Sequence, residues 1–234
     1  MLKKIKIIIL LLISLLIVGC TNKRDDTKVL TNGTSATNSN NISTTSESAT
    51  KYPDITVIDP IVMTNSYISS QNYYIQIVLK EGSYRYDYLT EQQSYWNGSY
   101  YLQVFRDTPE PKNLISEIQL EIGNEKELSF SGQFELFLED YNNDGQSDFT
   151  LGQWIGSNSS IYNIYSIDKN GVPYILPVSI SGINKNSIII ASHSYSLELQ
   201  KTSENSILYE NYDQASGEYD STKLQWDGTK FVSK

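Results

Sequence analysis

The stretch Phe134–Trp154, FELFLEDYNNDGQSDFTLGQW, is the part of this chain that most clearly indicates its fold class. Two short apolar segments, Phe134–Glu139 and Phe149–Trp154, flank a polar run that contains a glycine. Both flanks are rich in aromatic and aliphatic residues, and neither is long enough for an ordinary helix, so both are typical of strands. The stretch therefore predicts a strand, a tightly wound acidic loop at residues 140–148, and a second strand.

The same pattern of short apolar runs and turn residues continues on both sides of this stretch. From Tyr52 onward, short runs rich in Ile, Val, Tyr and Phe alternate with turn residues, and no segment keeps a helical period. Apolar and polar residues alternate over Ile118–Ile122, and Asn170-Gly171 and Asp227-Gly228 are hairpin-type turns. The sequence predicts an all-β fold: one antiparallel β-rich domain over residues 52–234, built as a sandwich or a partial propeller-like sheet.

The acidic loop places oxygen-bearing side chains at alternate positions. It matches the pattern D-x-[DN]-x-D-G-x-x-D, with Gly145 at the sharp turn. A calcium ion takes roughly six to eight oxygen ligands, which such a loop can present on its inner side. An acidic β-turn without metal is the alternative. The predicted ligands of a structural Ca²⁺ ion are the side chains of Asp140, Asn142, Asp144 and Asp148 and the backbone carbonyl of Gln146.

A helix-flanked calcium loop fits this stretch poorly, because Leu151 stands where the bidentate glutamate is needed and both flanks are predicted strands. The stretch Phe137–Gly171 instead resembles one FG-GAP/VCBS-type repeat, the calcium-binding unit of integrin-like propeller blades and of many bacterial surface proteins. The positions that carry the resemblance, besides the loop, are Phe137-Leu138, Phe149, Leu151, Gly152 and Gly156. The resemblance implies a calcium-binding unit between strands. Since a propeller needs about four or more blades and the loop occurs once, a single repeat-like unit within a larger β-domain is predicted.

The N-terminus carries a second motif. Three lysines at positions 3, 4 and 6 precede an apolar run from Ile7 to Val18 that ends in Gly19-Cys20. The run has the length of a secretory signal core and is shorter than the roughly 20 residues of a membrane span. This arrangement resembles a bacterial lipobox, which implies cleavage before Cys20 and attachment of diacylglycerol and palmitate to that residue. An ordinary secretory signal with an incidental cysteine is the alternative.

The segment between this motif and the β-domain has the composition of a stalk. Ser, Thr and Asn dominate residues 21–51, and such a segment buries too little apolar surface to offset its ordering entropy. The predicted organisation is a signal peptide at 1–19, a lipidated cysteine with a flexible linker at 20–51, and the β-domain at 52–234. Two or three acyl chains would hold the protein durably on the extracytoplasmic face of the cell membrane.

The charge balance limits the partners of the protein. The formal net charge is −9, and removal of the three leader lysines makes it −12, which disfavours nucleic acid and anionic lipid surfaces. The abundance of Asn, Ile, Lys and Tyr is typical of an AT-rich, Gram-positive-like host. The predicted partners are the membrane, through the lipid anchor, and an envelope protein or glycan. A monomer is predicted.

Aromatic residues form a possible binding platform. Tyr84, Tyr86 and Tyr88 would share one face of a strand, and Trp96 follows closely. Such rings could stack on sugar faces or on a protein partner, whereas the alternative is ordinary half-buried packing of strand tyrosines.

No catalytic residue is predicted. The single histidine, His193, lies between two predicted strands without a nucleophile-elbow motif, and lipidation would remove the only thiol. The predicted function is therefore a non-enzymatic surface binding or accessory lipoprotein with one structural calcium loop. Two alternatives are a carboxylate-based, glycan-directed envelope hydrolase and a solute-binding lipoprotein.

Replacing Cys20 by alanine tests the lipobox. We expect the variant to carry no lipid and to keep its leader uncut or cut elsewhere, because lipid transfer licenses cleavage at such a site. Cell fractionation and mass spectrometry of the N-terminal peptide measure both outcomes, and Thr27→Ala in the linker is the control. A mature protein in the membrane fraction without fatty acid on Cys20 would contradict the assignment.

Overall fold

Strands make up most of the described chain, which confirms the predicted all-β fold class. The computed structural model describes residues 55–85, 94–156, 158–213 and 215–233, with only the backbone at 183 and 184. Within these ranges there are seventeen strands, one 3₁₀ turn at Pro111–Asn113 and no α-helix. All the described residues belong to one compact unit, Thr50–Lys234. The predicted signal peptide, Cys20 and linker lie outside the described residues.

The first sheet is built around one long antiparallel pair. Its strands are β1 (Ile55–Thr56), β2 (Ile61–Ile68), β3 (Tyr73–Arg85), β4 (Tyr95–Arg106), β5 (Leu114–Gln119) and β6 (Glu127–Phe130). Strands β3 and β4 pair along their lengths, from Tyr73 opposite Arg106 to Arg85 opposite Tyr95. Strands β1 and β2 pair with the outer edge of β3, and β5 and β6 pair with the outer edge of β4.

The second sheet contains the acidic loop. Its strands are β7 (Leu138–Glu139), β8 (Asp148–Trp154), β9 (Ser160–Ile167), β10 (Pro173–Ile175) and β13 (Ile188–Ile190). They lie in the order β10-β9-β8-β7, with β13 on the same edge of β9 as β10. All their pairings are antiparallel.

The third sheet is formed by the C-terminal part of the chain. Its strands are β11 (Val178–Ile180), β12 (Ile183–Lys185), β14 (Gln200–Ser203), β15 (Ser206–Asp213), β16 (Glu218–Trp226) and β17 (Phe231–Ser233). The order is β12-β11-β17-β16-β15-β14. The β11–β17 pair is parallel, which departs from the predicted antiparallel arrangement at this one pairing of the described strands.

The second sheet lies between two hydrophobic cores and is therefore the middle layer. On one face, Phe149, Leu151 and Tyr165 pack with buried residues of the first sheet. On the other face, Tyr162 and Ile164 pack with buried residues of the third sheet. Residues 148–152 of β8 are all buried, as expected for a strand covered on both faces. The predicted sandwich is thus present with three layers.

The predicted strand Phe134–Glu139 is wrong over most of its length. Only Leu138–Glu139 pairs as a strand. The Phe134 N–H donates to the Met63 carbonyl at 3.2 Å, and the Phe137 N–H donates to Ser196 Oγ at 3.2 Å. Phe134, Leu136 and Leu138 pack against the core from this segment, but its backbone N–H groups donate to scattered partners instead of to one neighbouring strand.

Gly152 tests how tightly the middle sheet is packed. It lies opposite Tyr162 on β9, and a Cβ at this position would overlap the Cε1 and Cδ1 atoms of the Tyr162 ring. The tyrosine ring is fully buried and its hydroxyl donates to the Ser194 carbonyl at 2.5 Å, so it cannot swing away. We expect Gly152→Ala to lower the free energy of unfolding by about 1–3 kcal/mol, measured by urea denaturation.

Gly156→Ala is the matched control, because no atom lies within 4 Å of the Cβ that it would add. We expect its unfolding midpoint to stay close to that of the wild type. Equal midpoints for the two alanine variants would contradict the close approach of β8 to the Tyr162 ring.

Candidate functional site

The acidic loop joins β7 to β8, and two left-handed backbone conformations turn it sharply. The two strands pair over only two residues, with Glu139 opposite Asp148. Asn143 and Gly145 take left-handed conformations, with φ of 58° and 84°. Glycine and asparagine are the residues that adopt this region at least cost. The glycine of the motif thus stands where the sequence predicts a sharp turn.

Hydrogen bonds bring four of the five predicted ligands into one network. The Asp140 carboxylate accepts from the Asp144 N–H at 3.1 Å and from the Gly145 N–H at 2.9 Å. The Asp144 carboxylate accepts from Asn142 Nδ2 at 3.0 Å, from the Gln146 N–H at 2.8 Å and from Gln146 Nε2 at 3.0 Å. The loop therefore folds around its own carboxylates.

The fifth predicted ligand, Asp148, is the first residue of β8 and is 0% exposed. Its Oδ2 accepts from the Tyr141 N–H at 2.9 Å, which ties it to the loop, but its Oδ1 has no hydrogen-bond partner. Gln146 Oε1 and the hydroxyl of Ser166, which lies opposite Asp148 on β9, are also buried without a partner. Three of the four such side-chain atoms in the described residues thus gather beside this loop.

Burial changes the protonation of Asp148. The pKa of its carboxyl is raised from 3.8 to about 7, chiefly by desolvation and in addition by the negative charges of Asp144 and Asp140. The Tyr141 N–H and the Ser166 hydroxyl act in the opposite direction, although the hydroxyl makes no hydrogen bond of ordinary geometry. Without a cation, the site therefore disfavours the ionised form of this carboxyl.

The chemistry of the donors fits calcium. Three carboxylates and two amides supply hard oxygens only, which is the ligand type that calcium takes. Their hydrogen bonds leave capacity for a cation, since an ionised carboxylate has about four lone-pair sites. Gln146 presents a buried side-chain oxygen, in addition to the backbone carbonyl that the sequence predicts as a ligand. Within the described ranges, no three His, Cys, Asp or Glu side chains are grouped closely enough to hold a metal ion, so Asp140, Asp144 and Asp148 would have to draw closer around the ion and amide oxygens would have to complete the set.

Two residues that support the loop are missed by sequence reasoning. Lys201 on β14 donates through Nζ to the Asp140 carbonyl at 2.5 Å and to Glu139 Oε1 at 3.1 Å. Gln71 accepts from the Ser147 N–H at 3.2 Å. Both lie more than sixty residues from the groups they contact in the loop. No local pattern in the sequence signals them.

Two members of the predicted aromatic platform meet. Tyr84 on β3 lies opposite Trp96 on β4, and their ring centroids are 4.8 Å apart at an interplanar angle of 52°. Trp96 is partly buried and packs against the core between the first and middle sheets. Tyr86 and Tyr88 lie outside the described residues. Part of the Tyr84 and Trp96 ring surface, which the prediction assigns to a ligand, is therefore covered by contact between the two rings.

A cleft of about 780 Å³ opens between the turn that joins β5 to β6, the middle sheet and the third sheet. Its wall combines apolar side chains such as Ile161, Ile180 and Tyr209 with amides such as Asn124. Asp220 is the one carboxylate among its described lining residues. Glycoside hydrolysis by the usual route needs two carboxyl groups on either side of the bond. The described lining of the cleft therefore has side chains that can bind a ligand but does not have the two carboxyl groups that glycoside hydrolysis needs.

Within the described residues, the structure contains no helix long and apolar enough to span a membrane. Comparison with models of protein families, with curated proteins and with solved structures gives no match. The FG-GAP/VCBS resemblance of Phe137–Gly171 therefore stays a prediction from the residues that carry it.

Proposed function

We propose that this protein is a lipid-anchored, extracytoplasmic lipoprotein whose β-domain is a non-enzymatic binding or accessory module, stabilised by calcium in the loop Asp140–Asp148. One observation carries the calcium proposal: Asp148 is fully buried with an unpartnered oxygen at the end of an acidic loop. The anchor is proposed from Cys20 and the apolar run before it, which lie outside the described residues.

A cation at this loop would solve an electrostatic problem. An ionised carboxylate buried without a compensating charge is costly, and two further carboxylates lie close enough to raise its pKa. A divalent cation neutralises this charge and accepts the free oxygens as ligands. Calcium suits the loop better than magnesium, because calcium tolerates irregular sets of six to eight oxygens whereas magnesium demands a near-ideal octahedron.

The described residues also indicate what the loop would stabilise. Asp148 begins the middle-sheet strand β8, and Lys201 joins the Asp140 carbonyl to β14 of the third sheet. The loop therefore lies at a junction between two sheets. A calcium ion that neutralises the carboxylates of the loop would stabilise this contact between the two sheets, so its role would be structural.

Two observations favour binding over hydrolysis. Asp148 is the carboxyl in the described part of the chain whose pKa is raised, and it is too deeply buried to contact a substrate. The cleft of about 780 Å³ presents one described carboxylate, Asp220, together with Lys185 and with amide, hydroxyl and apolar side chains. Catalytic acids usually combine a perturbed pKa with access to a cleft, and here the two features lie on different residues.

Thermal unfolding with and without calcium tests the proposal. We expect millimolar calcium to raise the Tm of the full chain relative to chelator, since an ion that binds only the folded state at a hundredfold excess over its Kd stabilises it by about 2.7 kcal/mol. Asp144→Ala should abolish the shift, because Asp144 receives hydrogen bonds from two of the other proposed ligands, Asn142 and Gln146.

Glu125→Ala is the charge-matched control. It removes one exposed carboxylate from a turn outside the loop and should keep the full calcium response. Magnesium at the same concentration should give a smaller shift. An unchanged Tm at every calcium concentration, or an equal shift in the Asp144→Ala variant, would refute the calcium site.

A further inference from the structure

A second site lies at the other end of β8 from Asp148, roughly 20 Å away along the strand. It is a pocket of about 220 Å³ between the first and middle sheets. Three aromatic and three uncharged polar side chains line it: Tyr95, Trp154, Tyr195, Ser129, Ser131 and Gln153. They come from β4, from β6 and the residue that follows it, from β8 and from the segment after β13, so only the folded chain brings them together.

Hydrogen bonds at their polar ends fix two of the three rings. The Tyr195 hydroxyl accepts from the Ser131 N–H at 2.9 Å and donates to Ser131 Oγ at 3.1 Å. The Trp154 indole N–H donates to the His193 carbonyl at 3.0 Å. Trp154 is still 43% exposed, although the His193 ring packs edge-to-face with its indole at 5.4 Å between ring centroids. These aromatic surfaces are therefore held in place before any ligand arrives, which lowers the entropic cost of binding.

Gln153 makes the pocket floor rigid. Its Oε1 accepts from the Ser129 N–H at 2.8 Å, and its Nε2 donates to the carbonyls of Ser129 and Gly152, each at 3.1 Å. This amide joins β8 to β6 and so links the middle sheet to the first. The Ser129 hydroxyl donates to Asn97 Oδ1 at 2.7 Å and keeps its lone pairs as acceptors.

The lining selects a neutral ligand with one apolar face and polar edges. None of the six lining side chains that the structure describes carries a charge, although the protein has a net charge of −9. A cavity of about 150 Å³ accommodates benzene. A pocket of 220 Å³ therefore has room for one six-membered ring with its substituents. A pyranose combines such a ring face, which stacks on an indole, with hydroxyls that reach serine oxygens.

An extended peptide fits this pocket less well. Peptides that add to a sheet edge need unpaired backbone groups. Here the Gly152 N–H donates to the Tyr195 carbonyl at 2.8 Å, and the N–H groups of Ser129 and Ser131 are bonded to side chains. These three backbone N–H groups are thus already hydrogen-bonded within the protein.

We propose that this pocket binds one pyranose unit of a neutral glycan, with Trp154 as the stacking surface. The inference goes beyond the proposed function, because it names a ligand class and a site that need neither the calcium loop nor the lipid anchor. It also places recognition on Trp154 and Tyr195, outside the predicted platform of Tyr84, Tyr86, Tyr88 and Trp96.

Titration of the full chain with neutral oligosaccharides tests the inference. The probes are maltotetraose, cellotetraose, chitotetraose and linear mannotetraose, with digalacturonic acid as the charged control, in a zwitterionic detergent without a sugar headgroup. The chain has three tryptophans, so loss of one indole N–H resonance in Trp154→Ala assigns the reporter signal. We expect at least one neutral probe to shift that resonance and to bind more tightly than digalacturonic acid.

Variants separate stacking from folding. Trp154→Ala should weaken binding roughly tenfold or more, whereas Trp154→Phe keeps a ring and should retain most of it. Tyr219→Ala removes an aromatic residue that is 64% exposed and lies outside the pocket lining, so it should bind like the wild type.

The inference fails if no neutral probe shifts the Trp154 resonance at millimolar concentration, if Trp154→Ala binds as well as the wild type, or if only aromatic peptides bind. Titrations in calcium and in chelator keep this result separate from the calcium proposal. Sugar binding in either condition supports the pocket whatever the loop does, and binding in neither overturns it.

Discussion

Burial of the middle sheet on both faces organises the other two sheets and both candidate sites. Strand β8 has five consecutive buried residues, and seven of the eight residues of β9 are buried. A sheet with one solvated face would alternate, so this pattern requires a core on each side. The first and third sheets supply those cores. Each end of β8 then emerges at a junction with a neighbouring sheet, the acidic loop at one end and the aromatic pocket at the other.

The same burial has an electrostatic consequence. Because Asp148 is the first residue of β8, the strand carries its carboxyl into the interior. Burial raises the pKa of this group to about 7, so the folded state holds the proton more tightly than the unfolded chain, whose value is near 3.8. The stability that Asp148 contributes without a cation is therefore present below about pH 4 and is lost as the pH rises through 7. A bound cation reverses this preference because it favours the ionised carboxylate.

The features that can be predicted from the sequence are those that a few adjacent residues determine, such as turns and the acidic loop. The Asn170-Gly171 turn lies between β9 and β10 with a left-handed Gly171, and Gly228 has a positive φ between β16 and β17. The acidic loop lies between strands as its composition predicts. Features that depend on distant packing are missed, such as the hydrogen bond from Lys201 to the Asp140 carbonyl and the pocket that Trp154 and Tyr195 both line. The apolar composition of Phe134–Glu139 misleads because an extended segment can pack against the core without pairing with a neighbouring strand.

Calorimetric titration with calcium in two buffers of different ionisation enthalpy is the sharpest test of a cation beside Asp148, because it counts the protons released for each ion bound. A carboxyl with a pKa of about 7 is half protonated at pH 7 without the ion and ionised with it. We expect release of about half a proton per calcium at pH 7, falling towards zero by about pH 9. Calcium binding without proton release at any pH between about 5 and 9 would contradict the role of Asp148, and the absence of any binding heat in either buffer would contradict the calcium site.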